Sequence, residues 1–323
     1  MPQIAWDIAQ IVLGLAMLYF GAEWLIAGAA GLARSFGIKP LIIGLTVVAY
    51  GTSAPELVVG ISAGIRGQGA IALGNVIGSN IANLGLILAM AALIRTTQVD
   101  RQIVVRELPV LLATTALVPL SLLDGQVSMF EAGGLLGLAV AYTGWMLVTS
   151  KRDSTEALKH VAEDAAAAAV MSPQRKRSVL GALVFAGLIF LVAGGHFLVT
   201  GAVGVARIAG MSERIIGLTI VAVGTSIPEL ATSLVAAVRG HGDIAIGNVV
   251  GSNIFNVLLV LAAAGLAGEI HANLGDVALD VFALGAMTLF AAVVMATRRR
   301  ITRIEGTILL LGYIAFLSAL SLQ

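Results

Sequence analysis

Residues 44–57 read GLTVVAYGTSAPEL, and residues 217–230 read GLTIVAVGTSIPEL. The likeness continues through IALGNVIGSNIANLGLILA (71–89) and IAIGNVVGSNIFNVLLVLA (244–262). Residues 44–93 align without a gap to 217–266, at a constant offset of 173, with 30 identities in 50 positions. It also reaches back, since Gly21, Leu25, Gly28, Gly31 and Arg34 return as Gly194, Leu198, Gly201, Gly204 and Arg207. The chain therefore holds two copies of one unit, and a period this long is neither a solenoid nor a propeller.

The setting of the repeat is apolar. Of 323 residues, 59% are hydrophobic and 11% charged, against roughly 25% charged in a soluble domain, so a polar shell is out of reach. Apolar stretches of about 20 residues recur, each long enough to cross the hydrocarbon as a helix. The runs are continuous and rich in Ala, Leu and Gly, which excludes an alternating β-barrel. There is no Cys, hence no disulfide framework or thiolate metal site. No basic segment precedes the first apolar stretch, which reads as a retained span and not a signal peptide.

The expectation is an all-α membrane protein of ten transmembrane helices, near 8–32, 40–65, 70–94, 103–122, 129–149, 179–206, 213–238, 244–267, 277–297 and 304–321. Each copy then holds five spans, 1–150 and 179–323, joined by a loop at 151–178. Five is odd, so the second copy enters the membrane inverted, the architecture of secondary transporters. Charge orients it. With the N-terminus outside, 16 of the 19 Lys and Arg lie in or beside the odd-numbered, cytoplasmic loops, leaving Arg66, Arg207 and Arg214. That bias predicts both termini outside a cell (plasma or inner) membrane and loop 151–178 inside. Within this loop Ser154–Met171 is helix-prone, and its basic end, Arg175, Lys176 and Arg177, reads as a solvated orienting charge or a contact for anionic headgroups.

GTSAPE (51–56) and GTSIPE (224–229) fall inside apolar spans. A carboxylate at that depth costs at least about 2.5 kcal/mol unless paired or facing a wet cavity. Pro55 and Pro228 cannot donate to the carbonyls of Gly51 and Gly224 and push them aside, and broken helix at membrane depth is tolerated where it is buried in protein or lines a cavity. Glu56 and Glu229, Thr and Ser hydroxyls and loosened carbonyls, those of Thr52 and Thr225 among them, supply oxygen alone, which selects hard cations. Calcium takes six to eight such ligands, and two carboxylates balance its charge. In the next span of each copy Asn75, Ser79 and Asn83, and Asn248, Ser252 and Asn256, form a polar stripe four residues apart. Interhelical glue is the competing reading, above all for Asn75, Asn80, Asn248 and Asn253.

A doubled GTSxPE followed by GNxxGSNxxN resembles the α-repeats of the cation/calcium exchangers, in their prokaryotic sodium/calcium exchanger branch, over nearly the whole chain. That resemblance implies a ten-helix fold with four central sites. Glu56, Glu229 and the carbonyls of Thr52 and Thr225 would hold calcium. Ser53, Ser79, Ser226, Ser252 and the carbonyls of Ala49 and Ala222 would help hold sodium, with Asn83 and Asn256 in the middle. Some members carry Asp where this chain has Asn256, so a third carboxylate is missing, and the large cytosolic calcium-sensing domain of animal members is absent.

The function expected is secondary active exchange of Ca2+ for Na+ by alternating access, with the first and sixth spans as sliding gates. A proton-driven calcium antiporter is the nearest alternative. A cation channel would place several identical subunits about an axis, and an intramembrane hydrolase on Ser53 or Ser226 would need an adjacent base such as His. The partners expected are Ca2+, Na+ and the bilayer. No cofactor beyond the transported ions, no enzymatic activity, no nucleic acid and no obligatory protein partner are expected. Glu23, inside the first span, has His196 as its repeat counterpart and is expected to have a paired structural role.

Overall fold

The structure, a computed structural model, describes residues 2–164, 176–211 and 222–321. Among these, eight helices are long and apolar enough to cross a bilayer, and Pro40–Thr52 with Ala54–Ile65, bent by 45°, makes a ninth. Of the predicted seventh span, Ile227–Val238 is helical, whereas 212–221 lie outside the described residues. Polarity is inverted relative to a soluble domain. Phe130, Phe282 and Val140 face outward, while Asn80, Ser252, Glu56 and Glu229 are buried. The two helices most enclosed by the others are Gly69–Ile94 and Gly242–Ala267, the spans that carry the GNxxGSNxxN motifs.

Loops gather by parity. At one end Lys39 donates to Asp100 at 3.1 Å, Thr97–Gln98 pairs antiparallel with Arg300–Ile301, and the Arg177 guanidinium lies 4.5 Å over the Phe36 ring. Burial pushes the Asp100 carboxyl up, but the Gln102 N–H, Lys39 and the Arg299 charge outweigh it and hold it below the usual carboxylate value. At the other end Gln126–Val127 pairs antiparallel with Ile270–His271. The segments after the first, third, fifth and ninth expected spans thus meet at one end, and those after the fourth and eighth at the other. The short strands exchange partners between copies. Thr97–Gln98 and its counterpart Ile270–His271 do not pair with each other; each pairs with a segment of the other copy, at opposite ends of the bundle.

The first helix, Pro2–Phe36, lies antiparallel against Arg177–Ile208. Glycines seven apart make this contact backbone to backbone. A Cβ at Gly14 would stand 2.7 Å from the Gly194 carbonyl oxygen, one at Gly21 2.9 Å from that of Gly187, and one at Gly28 2.8 Å from that of Leu180. Such small-residue seams let helices touch where no hydrophobic effect drives them together.

One boundary differs from expectation. Met129–Asp164 is one continuous helix, so the predicted loop 151–178 begins as an extension of the fifth span. No Gly or Pro stands between Gly144 and Pro173 to end that helix, and the Ala-rich sequence sustains it. The part of Ser154–Met171 beyond 164 lies outside the described residues. Glu23 has the expected paired role, its partner being Arg239, which donates at 2.7 Å. The contact ties the first helix, Pro2–Phe36, to the residue that follows Ile227–Val238.

Candidate functional site

The GTSxPE motifs break their helices at the serine. Ser53 (φ −79°, ψ 8°) and Ser226 (φ −86°, ψ 6°) separate a helical segment from a new helix starting at Ala54 and Ile227. Pro55 and Pro228 fall in the first turn of those helices, where a missing N–H costs nothing. Glu56 and Glu229 occupy the same first turn, so each carboxylate sits at the positive end of a helix dipole. Both are 1% exposed, so whatever neutralises them has to come into the protein interior.

Their contacts cross between the copies. Ser53 Oγ donates to Glu229 Oε1 at 2.9 Å, and Ser226 Oγ to Glu56 Oε1 at 3.1 Å. Ser53 Oγ also lies 3.1 Å from Ser252 Oγ. Thr52 Oγ1 is 3.2 Å from Asn248 Oδ1 and 3.0 Å from the Val48 carbonyl. Asn75 Nδ2 donates to the Glu56 carbonyl at 3.0 Å, and Asn248 Nδ2 donates to Ser233 Oγ at 3.0 Å, with the Glu229 carbonyl at 3.5 Å. In the middle, Asn80 Nδ2 donates to the Asn253 carbonyl at 3.2 Å, and Asn256 Nδ2 to Asn80 Oδ1 at 3.0 Å. Asn80 meets its own repeat counterpart, Asn253, and Thr115 meets Thr288 at 3.4 Å, as residues do only near the axis relating two copies.

What remains unbonded is mostly acceptor oxygen. Among the described residues, Glu56 Oε2, Glu229 Oε2, Asn256 Oδ1 and both amide atoms of Asn83 are buried with no hydrogen-bond partner. A buried acceptor left unmade costs about 1–3 kcal/mol, more if charged, so several converging here need an occupant. Oxygen acceptors alone fit hard cations such as Ca2+ and Na+. Ser79 and Thr225 border a cavity of about 370 Å³ that runs out past Gly74 to Ile71, Asp280 and Leu320, toward the end that holds 126–127 and 270–271. Ala49 differs from a free ligand, because its carbonyl already accepts the Ser53 N–H at 3.1 Å. In the other copy the Ser226 N–H donates to the Val223 carbonyl, at 3.1 Å.

Sequence reading left Asn75, Asn80, Asn248 and Asn253 open between ligand and glue, and the structure gives each an interhelical or backbone bond. It missed the π-helical turns that begin at Asn83 and Asn256, which widen the helix where those side chains project. Such turns are frequent at functional sites. Composition carries no signal for them beyond the repeat itself.

Fold and site together define a helical membrane protein with a buried, oxygen-lined centre between two copies of one motif. The chain belongs to the sodium/calcium exchanger protein family, whose model matches residues 6–148 and 179–322. It is 37% identical to a putative antiporter, CaxA, of Alkalimonas amylolytica, over 95% of this chain and 96% of that one. It is 32% identical to the sodium/calcium exchanger MaX1 of Methanosarcina acetivorans, over 96% of this chain and 97% of that protein. A solved structure of the sodium-calcium exchanger NCX_Mj superposes with a TM-score of 0.84 at 30% identity, covering 98% of this chain and 99% of that one. The family is one of membrane ion exchangers, not enzymes.

Proposed function

We propose that this protein is an antiporter that exchanges Ca2+ for Na+ by alternating access, with either ion held between Glu56 and Glu229. The observation that carries the reading is the crossed pair of bonds, Ser53 to Glu229 and Ser226 to Glu56, each leaving one carboxylate oxygen unbonded. Two carboxylates carry −2, which one Ca2+ balances, and hydroxyl and amide oxygens from Ser53, Ser79, Ser226, Ser252, Asn83 and Asn256 suit Na+. Carbonyls of Thr52, Thr225 and Ala222 complete the ligand set, with that of Ala49 offering only the lone pair left beside the Ser53 N–H. Competition for the same two carboxylates is the coupling, because only a neutralised site closes into low dielectric.

The architecture that goes with this reading is ten spans in two inverted sets of five. The exchanged strand pairing at opposite ends of the bundle supports it, since an axis that swaps the two ends lies in the membrane plane. The positive-inside pattern supports both termini outside the cell membrane, and in that orientation the cavity opens outward. The test is 45Ca uptake into proteoliposomes with outward sodium and proton gradients imposed separately. Sodium should drive uptake and protons alone should not; the reverse outcome assigns the chain to proton-driven exchange.

A further inference from the structure

The repeat offset makes the outer cavity comparable, residue by residue, with the same region of the inner half. It holds at 173 through the fourth and ninth spans, where Thr115 meets Thr288. It becomes 174 in the fifth and tenth, where Ser128 caps Glu131 as Thr302 caps Glu305. The cavity is bordered by Val223, Ala82, Asp280 and Phe316. Their counterparts are Tyr50, Phe255, Glu107 and Tyr142. On the inner side these four fill the space. The Tyr50 and Phe255 ring centroids are 3.8 Å apart, those of Tyr142 and Phe255 are 6.0 Å apart, and the Tyr142 hydroxyl donates to Glu107 Oε2. Glu107 is 0% exposed, whereas Asp280 is half-buried against the cavity with no hydrogen-bond partner among the described residues. The same contrast divides Ile71, 53% exposed at the outer cavity, from its counterpart Ile244, 0% exposed.

We propose that Asp280 and Glu107 are the outer and inner access carboxylates of one cation path, exposed one at a time, and that Tyr142 latches Glu107 while the path is open outside. The inference rests on the exchanger reading and adds three residues to it, two carboxylates and the tyrosine that latches one of them. A carboxylate at a narrow, low-dielectric mouth concentrates cations there. One left exposed on the closed side would compete with the central pair, and the tyrosine hydroxyl removes it from that competition. Opening inward then requires Tyr142 to release Glu107 and the Tyr50–Phe255 contact to part. The small residues Val223 and Ala82 leave no such plug outside, which accounts for the outward opening of this structure.

The test uses the full chain in oriented membranes and has two arms. The chain has no native Cys, so Ile244→Cys reports inner opening through a membrane-impermeant maleimide applied from the cytoplasmic side. Tyr142→Phe keeps the ring and loses the latch, and it should speed that labelling about tenfold, the order expected for one hydrogen bond to a charged group. Val250→Cys, at the counterpart of Ile77 in the outer cavity lining and itself buried, serves as reporter if Ile244→Cys fails to reach the membrane. In the second arm, Asp280→Asn should raise the half-saturating calcium concentration about fivefold on the outer face only. Glu107→Gln, which still accepts the tyrosine hydroxyl, should do so on the inner face only. Unchanged labelling in Tyr142→Phe, or equal rises on both faces for either carboxylate variant, overturns the proposal. A parent protein that moves no calcium refutes the exchanger reading instead, and the labelling arm, which needs no transport, still decides the latch.

Discussion

The glycine seam between Pro2–Phe36 and Arg177–Ile208 predicts that the two gate helices move as one body. In Gly21→Ala the new methyl would stand 2.9 Å from both the Gly187 carbonyl oxygen and the Leu191 nitrogen, where ordinary contact begins at 3.4 Å. The backbones must part by about 0.5 Å, and because both neighbours are main chain, no side-chain rotation relieves it. Overpacking of this kind costs about 1–3 kcal/mol. The seam is the same in both access states if the pair moves rigidly, so the cost falls on stability and cancels from the rate. Gly51 and Gly224 lie instead where the pair meets the GTSxPE helices. A methyl at Gly51 would fall on the Leu188 side chain, and one at Gly224 would lie 2.7 Å from Val199 Cγ2. This interface changes during alternation, so the clash burdens one state more than the other; about 1.4 kcal/mol of difference is tenfold in turnover. Gly21→Ala should therefore lower the melting temperature of the solubilised protein by several degrees while keeping calcium turnover within about twofold of the parent. Gly51→Ala should do the opposite, with Gly181→Ala as the neutral control in the sixth helix. If Gly21→Ala slows exchange as much as Gly51→Ala while melting like the parent, the helices slide along their seam and the rigid-pair argument is wrong.

Glu56→Gln and Glu229→Gln should each abolish calcium exchange in reconstituted vesicles and leave the protein folded; near-parental flux in either removes the carboxylate pair from the site. Cysteines at Lys159 and Gly125 should react with impermeant reagents from opposite faces, the first from the cytoplasm, and labelling of both from one face overturns the topology. Asp100→Asn should cost less than about 1 kcal/mol at neutral pH, since Lys39 and Asp100 are only partly buried. The folded-state pKa of Asp100 is depressed, so its contribution is present above the unfolded value of about 4 and lost as pH falls through the folded one. Thermal melts of the two proteins should converge below that range.

Much of this architecture was legible because duplication writes each constraint twice. An apolar span with Glu, Pro and Gly at one position is ambiguous, but the same trio at 51–56 and 224–229 singles out a site. Loop alternation followed from the succession of apolar spans, and Lys and Arg placement adds only the expected side, since translocation reads charge and not fold. The crossed pairing of Ser53 with Glu229 was not legible, because an internal repeat gives equivalence and leaves open which equivalent residues face each other. The capping pairs Ser128–Glu131 and Thr302–Glu305 carry the readable S/T-x-x-E signature and fix where the fifth and tenth spans begin. The continuation of the fifth span to Asp164 depended on the absence of a stop signal, which is easily overlooked beside a change from apolar to charged residues.

Asn256 shows how the surrounding bonds decide what one position contributes. Its Nδ2 donates to Asn80 Oδ1, while Asn80 Nδ2 is committed to the Asn253 carbonyl. The amide of Asn256 is thereby oriented with Oδ1 unbonded, giving the site an oxygen and no charge. With Glu56 and Glu229 ionised, the calcium-loaded site is neutral, and its passage across the membrane should ignore voltage. Asn256→Asp makes the loaded site −1, so the same step should respond at about 2.3 kcal/mol per 100 mV. The variant also faces the Asn80 oxygen without a proton to donate, a loss of about 1–3 kcal/mol that should lower its yield without abolishing it. The measurement is 45Ca self-exchange with calcium alone on both sides, in vesicles clamped at 0 and −100 mV and held at alkaline pH so that the new carboxylate is ionised. Parent flux should be equal at the two potentials and variant flux should differ several-fold. Equal flux in both proteins would place residue 256 outside the path of the calcium charge and remove it from the ligands proposed above.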